Sequence, residues 1–418
     1  MEHKIITLAA VSTASMLTGL PNATAQEKTA PVATPAPAAR VTASSLSTGT
    51  PVTYQGAPGI EPEITGIAGL FKWGPIEGHP HLTYRFSYGD GIQARPGATY
   101  KTAINEFSPG IAFRLGDRWR LDYTPTLRFY SSDRFRDTTD HRVSFGGVVP
   151  YGDWVFGLQQ SYAATSGTLV ETARQTDQES FNTGLDASYR LGTRTSLDFG
   201  VNQNVRIASE YPDVWEWSTM EWIGYEFNKR LSGGLGVGAG YADLEYGTDM
   251  TYEQVQARVV WRPTDKVSLE GHGGPEIRQF LDSDLSDQVS PVFGGSVSYR
   301  PFDVTTLSVG FNRSVSASYF QNQVTEGASV TAGLRQRLLG KMDLSVGGGY
   351  RWTDYKATVG EWATSRSDEG WNASVELGIG FLKRGRFAVF YHHSENSSDG
   401  LGYTYTSDQF GFMISYRW

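Results

Sequence analysis

The sequence predicts an all-β fold, an antiparallel up-and-down barrel of about eighteen strands within a 16–18 range. Three observations carry this. From His81 onward, runs of about 10 to 14 residues alternate apolar and polar side chains, the period-two pattern of a strand with two unlike faces. Tight turns and longer polar connections join these runs in alternation, as hairpins in a meander require. The final run, Phe410-Gly-Phe412-Met-Ile414-Ser-Tyr416-Arg-Trp418, places Phe410, Phe412, Ile414, Tyr416 and Trp418 on one face and ends where the chain ends.

The amino terminus predicts export. Lys4 provides a basic start, Ile5 to Leu20 an apolar and small-residue run, and Ala23-Thr-Ala25 a small-x-small cleavage site, so residues 1–25 read as a signal peptide. No later stretch approaches the roughly 20 apolar residues of a transmembrane helix. With no cysteine, an exported chain relies on a large core or a closed sheet in place of disulfides. The 48 glycines, abundant aromatics and modest hydropathy suit a sheet that shows lipid only alternate residues, which makes the barrel transmembrane. A formal net charge of −8 argues against a nucleic-acid partner.

Along the chain, residues 26–62 are rich in Ala, Pro, Thr, Ser and Gly and bury too little apolar surface to order, which predicts a disordered periplasmic tail. Residues 63–80, with Ile64, Ile67, Leu70, Phe71 and Trp73, form either a lead-in to the barrel or a small plug. The barrel spans 81–418. Its eight short turns fall at 115–118, 150–153, 191–194, 227–230, 262–265, 300–303, 339–341 and 382–385. Its nine longer connections fall near 89–101, 131–140, 164–178, 208–214, 243–250, 279–287, 319–323, 357–368 and 396–404. Short turns on the periplasmic side and long loops outside fit this alternation.

Each strand then acquires two faces. Trp119, Leu121, Tyr123, Leu127 and Phe129 share one parity, as do Leu197, Phe199 and Val201, and Trp371, Val375, Leu377, Ile379 and Phe381; these face lipid. The opposite parity collects Arg118, Arg120, Asp122, Arg190, Arg194, Asp198, Glu270, His272, Arg335, Arg337, Arg351 and Arg417, the candidates for pore lining and selectivity. A dry core would not hold so many charges, whereas a wet lumen does. Glu221 shares the lipid parity of Trp217 and Ile223 and so points at lipid unless a bulge, to be sought at Met220-Glu-Trp222, resets the phase.

Arginines gather beside the short turns and acids in the long connections, giving a basic inner mouth and an acidic outer rim. Gly234, Gly236, Gly238 and Gly240 form a stripe on the lumen parity, leaving room for an inserted loop, a plug or a solute, or allowing sheet curvature. The connection 164–178 is the best candidate to fold inward. Catalysis is not expected: the six mature histidines lack zinc-ligand spacing, and only His393 could act as a base at the membrane face. Neither a metal nor a cofactor is expected, and no calcium-loop spacing occurs in the acidic loops.

The terminal aromatic strand resembles the assembly signal of bacterial outer-membrane barrels. The phrases Ser188-Tyr-Arg-Leu-Gly-Thr-Arg-Thr-Ser-Leu-Asp-Phe-Gly200, Val297-Ser-Tyr-Arg-Pro-Phe-Asp-Val-Thr-Thr-Leu-Ser-Val-Gly310 and Gly349-Tyr-Arg-Trp352 resemble a repeated "Tyr-Arg, turn, Thr-x-Leu-x-x-Gly" phrase of the β-barrel porin 2 family. That resemblance spans most of 81–418 and implies an outer-membrane location and a partnership with exopolysaccharide export loci; it brings no catalytic motif. The expected function is a water-filled porin-like channel for passive diffusion of small polar solutes, the alternative being a plugged barrel serving exopolysaccharide export or outer-membrane assembly. Expected partners are outer-membrane lipid and lipopolysaccharide, the barrel-assembly machinery and small polar or saccharide solutes. Nothing in the sequence fixes the oligomeric state.

Overall fold

In the computed structural model, which describes residues 71–281, 283–358 and 365–418, the alternating runs become nineteen strands, and these make up all the helical or extended structure among the described residues. Residues 1–70, and with them the expected signal peptide, tail and first part of the lead-in, lie outside the described residues. The first ten strands are β1 (Phe71–Trp73), β2 (Ile76–Arg95), β3 (Ala98–Leu115), β4 (Trp119–Tyr130), β5 (Thr138–Tyr151), β6 (Trp154–Leu169), β7 (Arg174–Arg190), β8 (Thr195–Ala208), β9 (Val214–Asn228) and β10 (Leu231–Leu244). Then follow β11 (Met250–Thr264), β12 (Val267–Phe280), β13 (Gln288–Phe302), β14 (Thr305–Ala317), β15 (Gln323–Leu338), β16 (Met342–Ala357), β17 (Arg366–Phe381), β18 (Gly385–Ser398) and β19 (Tyr405–Arg417).

Each strand pairs antiparallel with the next, and β19 returns to β2, so β2 to β19 close an eighteen-stranded barrel. Closure leaves no long edge of unpaired backbone groups, which a sheet crossing hydrocarbon requires. At the seam Phe410 pairs with Tyr88, Phe412 with Phe86 and Ile414 with Tyr84. Their rings pack across it, Phe412 lying 5.6 Å from Phe86 and 5.9 Å from Tyr84. The aromatic terminal strand is thus the closing strand. β1 folds back on the first residues of β2, pairing Phe71 with Gly78 and Trp73 with Ile76.

All eight short turns fall where the turn residues placed them. Gly116 (φ 62°) and Gly152 (φ 59°) supply the left-handed conformation that two of these turns need. The outer connections are shorter than their polar composition suggested. Residues 89–101 are mostly strand: β2 runs on to Arg95, and only Pro96 and Gly97 separate it from β3. Two register shifts, after Gly89 and after Gln93, let this polar hairpin stay paired as it rises. Residues 164–178 are likewise paired up to Leu169 and from Arg174, leaving a four-residue tip. Backbone pairing satisfies their N–H and C=O groups whatever the side chains, so polarity does not end a strand.

The faces follow the predicted parity. Phe199, Val201, Ile223, Val237, Val375 and Ile379 are exposed outward, opposite the charged wall. There is no bulge at Met220-Glu-Trp222: β9 is in register with both neighbours there, Glu221 pairing with Phe199 on β8 and Val237 on β10, and the register shift of the β9–β10 pair lies at its inner end, between Leu231 and Ser232. Glu221 therefore remains on the outward apolar face. A single charge does not overturn a register fixed by a whole strand of alternating side chains.

Candidate functional site: the lumen wall and the outer mouth

Strand register turns one parity of every strand toward the lumen. Arg120, Asp122, Asp198, Glu270, His272, Arg335, Arg337, Arg351 and Arg417 all hold inward register positions, and Arg190 ends β7 on the same parity. Arg118 and Arg194 stand in short turns at the inner rim. These twelve are spread around the wall from β4 to β19 and do not converge on one point. Arg120, Arg190, Arg335, Arg337, Arg351 and Arg417 have no ion-pair partner among the described residues, whereas Arg114 pairs with Glu77, and Arg386 with Asp343 (2.5 Å) and Glu376 (2.6 Å). The inner mouth thus keeps a surplus of free positive charge after pairing.

Further up, the wall is a set of satisfied networks. Asp122 accepts from Thr124 at 2.9 Å and lies 3.3 Å from His81 Nε2. Asp198 accepts from Ser188 (2.6 Å) and is paired with Arg258, whose guanidinium lies 4.6 Å from the Trp222 ring. Glu270 accepts from Ser296 at 2.8 Å. Arg128 bridges Glu106 (2.7 Å) and Asp140 (3.2 Å). Arg258 and Arg278 were legible by the parity used for the others but were not singled out.

The glycine stripe of β10 leaves no open space. A Cβ on Gly236 would meet the Trp222 ring at 2.6 Å, and one on Gly240 the Tyr252 ring at 2.1 Å. The glycines let Trp222 from β9, Tyr252 from β11 and Met220 lie flat across β10. Tyr252 Oη then donates to Glu216 (2.7 Å), and the Arg278 guanidinium stacks on the Tyr252 ring at 4.7 Å. Arg278 and Glu276, both buried, pair at 2.8 Å, with Gln254 donating to the other Glu276 oxygen at 2.6 Å.

The outer mouth is crossed by two hairpin tips. The β14–β15 tip lies against the inner wall beneath β9–β12: Val315 and Val324 pack with Val214, Ala242, Leu244 and Met250, and Arg278 donates to the Val315 carbonyl at 3.3 Å. Arg206 of β8 donates to the Ser318 carbonyl at 2.7 Å and stacks on the Tyr319 ring at 3.9 Å. The β6–β7 tip, eight strands away in the eighteen-membered ring, meets it there. Glu171 Oε1 accepts from Ser318 Oγ (2.5 Å) and the Tyr319 N–H (2.7 Å), and Tyr319 Oη donates to Gln178 (2.5 Å). Leu169, Ala208 and Tyr319 bury an apolar patch around these bonds. From the far wall Arg366 of β17 donates to the Glu171 carbonyl at 3.1 Å and stacks on Tyr355 and Tyr403.

Burial pushes the Glu171 carboxyl up, against the pull of Ser318 and Arg206, and pushes the Tyr319 phenol up to about 12. The 164–178 segment does reach inward, but the sequence marks the tip that docks on it, 318–322, only as one more connection near 319–323.

Acids of the outer rim also hold local structure. Asp137, Asp213 and Asp249 accept the backbone N–H groups of Tyr130, Ala208 and Leu244, closing the ends of strands. Asp368 is buried beside Arg366 at 3.2 Å, and Asp140 joins the wall network. His393 is held by Asp408 (2.8 Å) against the Trp371 ring, and no cluster of three or more metal-ligating side chains occurs among the described residues.

No family model matches the chain, and no curated protein matches it, so the likeness to the β-barrel porin 2 family rests on the Tyr-Arg phrases alone. Similar solved structures include Pseudomonas aeruginosa OccK2 (OpdF), 14% identical over 81% of this chain and 97% of that one with a TM-score of 0.45; it has also been solved in complex with glucuronate. Acinetobacter baumannii OccAB3 is 9% identical over 82% and 99%, with a TM-score of 0.44. The outer membrane protein opdK from Pseudomonas aeruginosa is 15% identical over 82% and 98%, with a TM-score of 0.43.

Proposed function

We propose that this chain is an outer-membrane channel for passive diffusion of small polar solutes, narrowed at its outer mouth by the joined hairpin tips and biased toward anions at its inner one. The observation that supports it is a closed ring of eighteen strands, apolar outside and charged inside. Barrels of 16 to 18 strands leave an aqueous channel, while about eight fill with side chains. Strands of 12 to 20 residues exceed the roughly 9–11 needed to cross, so their outer ends stand above the membrane as the mouth.

Within this function Arg120, Arg335, Arg337 and Arg417 supply fixed positive charge along the path, with Arg118, Arg190 and Arg194 at its inner rim. Asp122, Asp198, Glu270, His272 and Arg351 line the wall above them. Residues 1–25 direct export, 26–62 stay periplasmic, and Phe410, Phe412, Ile414, Tyr416 and Trp418 present the closing strand to the assembly machinery. Lipopolysaccharide and lipid surround the outward face.

The test is conductance of the refolded mature chain in a planar bilayer under a salt gradient. Discrete openings with a reversal potential on the anion side are expected. A barrel that inserts and stays silent at every voltage would overturn the channel.

A further inference from the structure

The direction of β1 decides how the chain approaches the barrel. β19 ends with the Trp418 N–H donating to the Pro80 carbonyl at 3.0 Å, and β1 takes the same edge of β2 below it, from Gly78 to Ile76. Because β1 is antiparallel to β2 it runs toward the periplasm, so Phe71 is its deeper end and Trp73 its rim end. The residues before Phe71 therefore arrive from the barrel side, not from the periplasm. One more residue fits on that edge, opposite His79, before Trp418 closes it. Gly69 falls where the chain must leave the wall, and glycine turns most freely.

Two directions are open at that point, lipid and lumen. Phe71 and Trp73 stand outward with Phe113, while Lys72 turns inward to Glu77 at 3.3 Å. From 41 to 71 the chain carries only two charges, Glu61 and Glu63. A carboxylate is costly against an apolar surface and favourable beside cationic donors. The lumen holds such donors. Arg417, opposite His81, and Arg120, opposite Arg114, have no ion-pair partner among the described residues. His79 faces inward on β2 and is buried, and its Nε2 has no hydrogen-bond partner among the described residues. Glu77 already serves Lys72 and Arg114, so a second acid is the counter-charge this side of the mouth lacks.

The reach is sufficient. Eighteen strands about 4.8 Å apart and tilted by about 40° make a ring about 36 Å across. The stretch from Phe71 back to Glu63 spans up to about 26 Å, past the centre of that ring. We propose that residues 63–70 turn into the lumen at the inner mouth and seat Glu63 among Arg120, Arg417 and His79. The chain then supplies its own anionic occupant, which competes there with anionic solutes, and 26–62 leave through the same mouth. The contact stands whether or not the lumen conducts; only its effect on current rests on the channel reading.

With no native cysteine, a single introduced thiol reports the seat. In the refolded mature chain Thr65→Cys should react with a maleimide-bearing polymer about tenfold or more slowly than Ser47→Cys in the tail. Adding Glu63→Gln to Thr65→Cys should restore the fast rate. In a planar bilayer Glu63→Gln should raise conductance and move the reversal potential further to the anion side. Equal labelling of Thr65→Cys and Ser47→Cys overturns the contact, as does protection that survives Glu63→Gln, the result expected of a segment lying in lipid. A silent barrel with Thr65→Cys protected overturns the channel and supports the contact. A conducting barrel in which Glu63→Gln changes neither conductance nor reversal potential overturns the competition with solute.

Discussion

The carboxylate of Glu171 accepts the backbone N–H of Tyr319 at 2.7 Å, joining residues 148 positions apart in the chain and eight strands apart around the barrel. With the Ser318 hydroxyl on the same oxygen, this bond pins two hairpin tips across the outer mouth. Leaving a buried donor without its acceptor costs about 1–3 kcal/mol for each donor. Glu171→Ala should therefore shift the tips toward a separated state by at least about tenfold. The readout is a larger and noisier single-channel conductance; unchanged conductance would show that the tips do not limit the path.

The same carboxyl sets a pH dependence. Burial raises Glu171 above its ordinary 4.5, while Arg206 and Arg366, facing it from β8 and β17, only partly offset that. A raised acid favours the folded junction when protonated, so the contribution is complete below pH 4.5 and fades as pH rises through the elevated value. Conductance should rise as pH is raised through that elevated value. Glu171→Gln, permanently neutral, should hold the low-pH level throughout, and a variant that still titrates like the parent would rule Glu171 out.

Positive charge at the inner mouth is left unpaired by the structure at Arg120, Arg335, Arg337 and Arg417. Replacing Arg120, Arg337 and Arg417 together with Gln should move the reversal potential toward the unselective value, with little change in conductance at high salt, where screening already hides fixed charge. Arg386 stands between Asp343 and Glu376, so Arg386→Gln should leave two carboxylates uncompensated, move the reversal potential toward cations as well and, unlike the unpaired arginines, destabilise the wall.

Gly240 tests how the wall is packed. A Cβ there would lie 2.1 Å from the Tyr252 ring, so Gly240→Val must displace a phenol that donates to buried Glu216. Overpacking of this kind costs about 1–3 kcal/mol, and a stranded acceptor adds to it. Urea unfolding of the refolded barrel should shift accordingly. Equal stability of Gly240→Val and the parent would mean the stripe serves only curvature.

What the sequence determined is whatever repeats along a strand. Parity is set by a period of two over ten or more residues, so strand count, short turns, the lipid face and the inward arginines were all legible, and one contrary residue, Glu221, could not shift it. The tertiary structure decided what lies between strands distant in the chain. That Glu171 would find Ser318, that the β10 glycines would be filled by Trp222 and Tyr252, and that Asp137, Asp213 and Asp249 would close strand ends all depend on which strands closure brings to the same height. Closure and tilt are properties of the whole ring, and no local pattern encodes a contact that exists only once β19 has met β2.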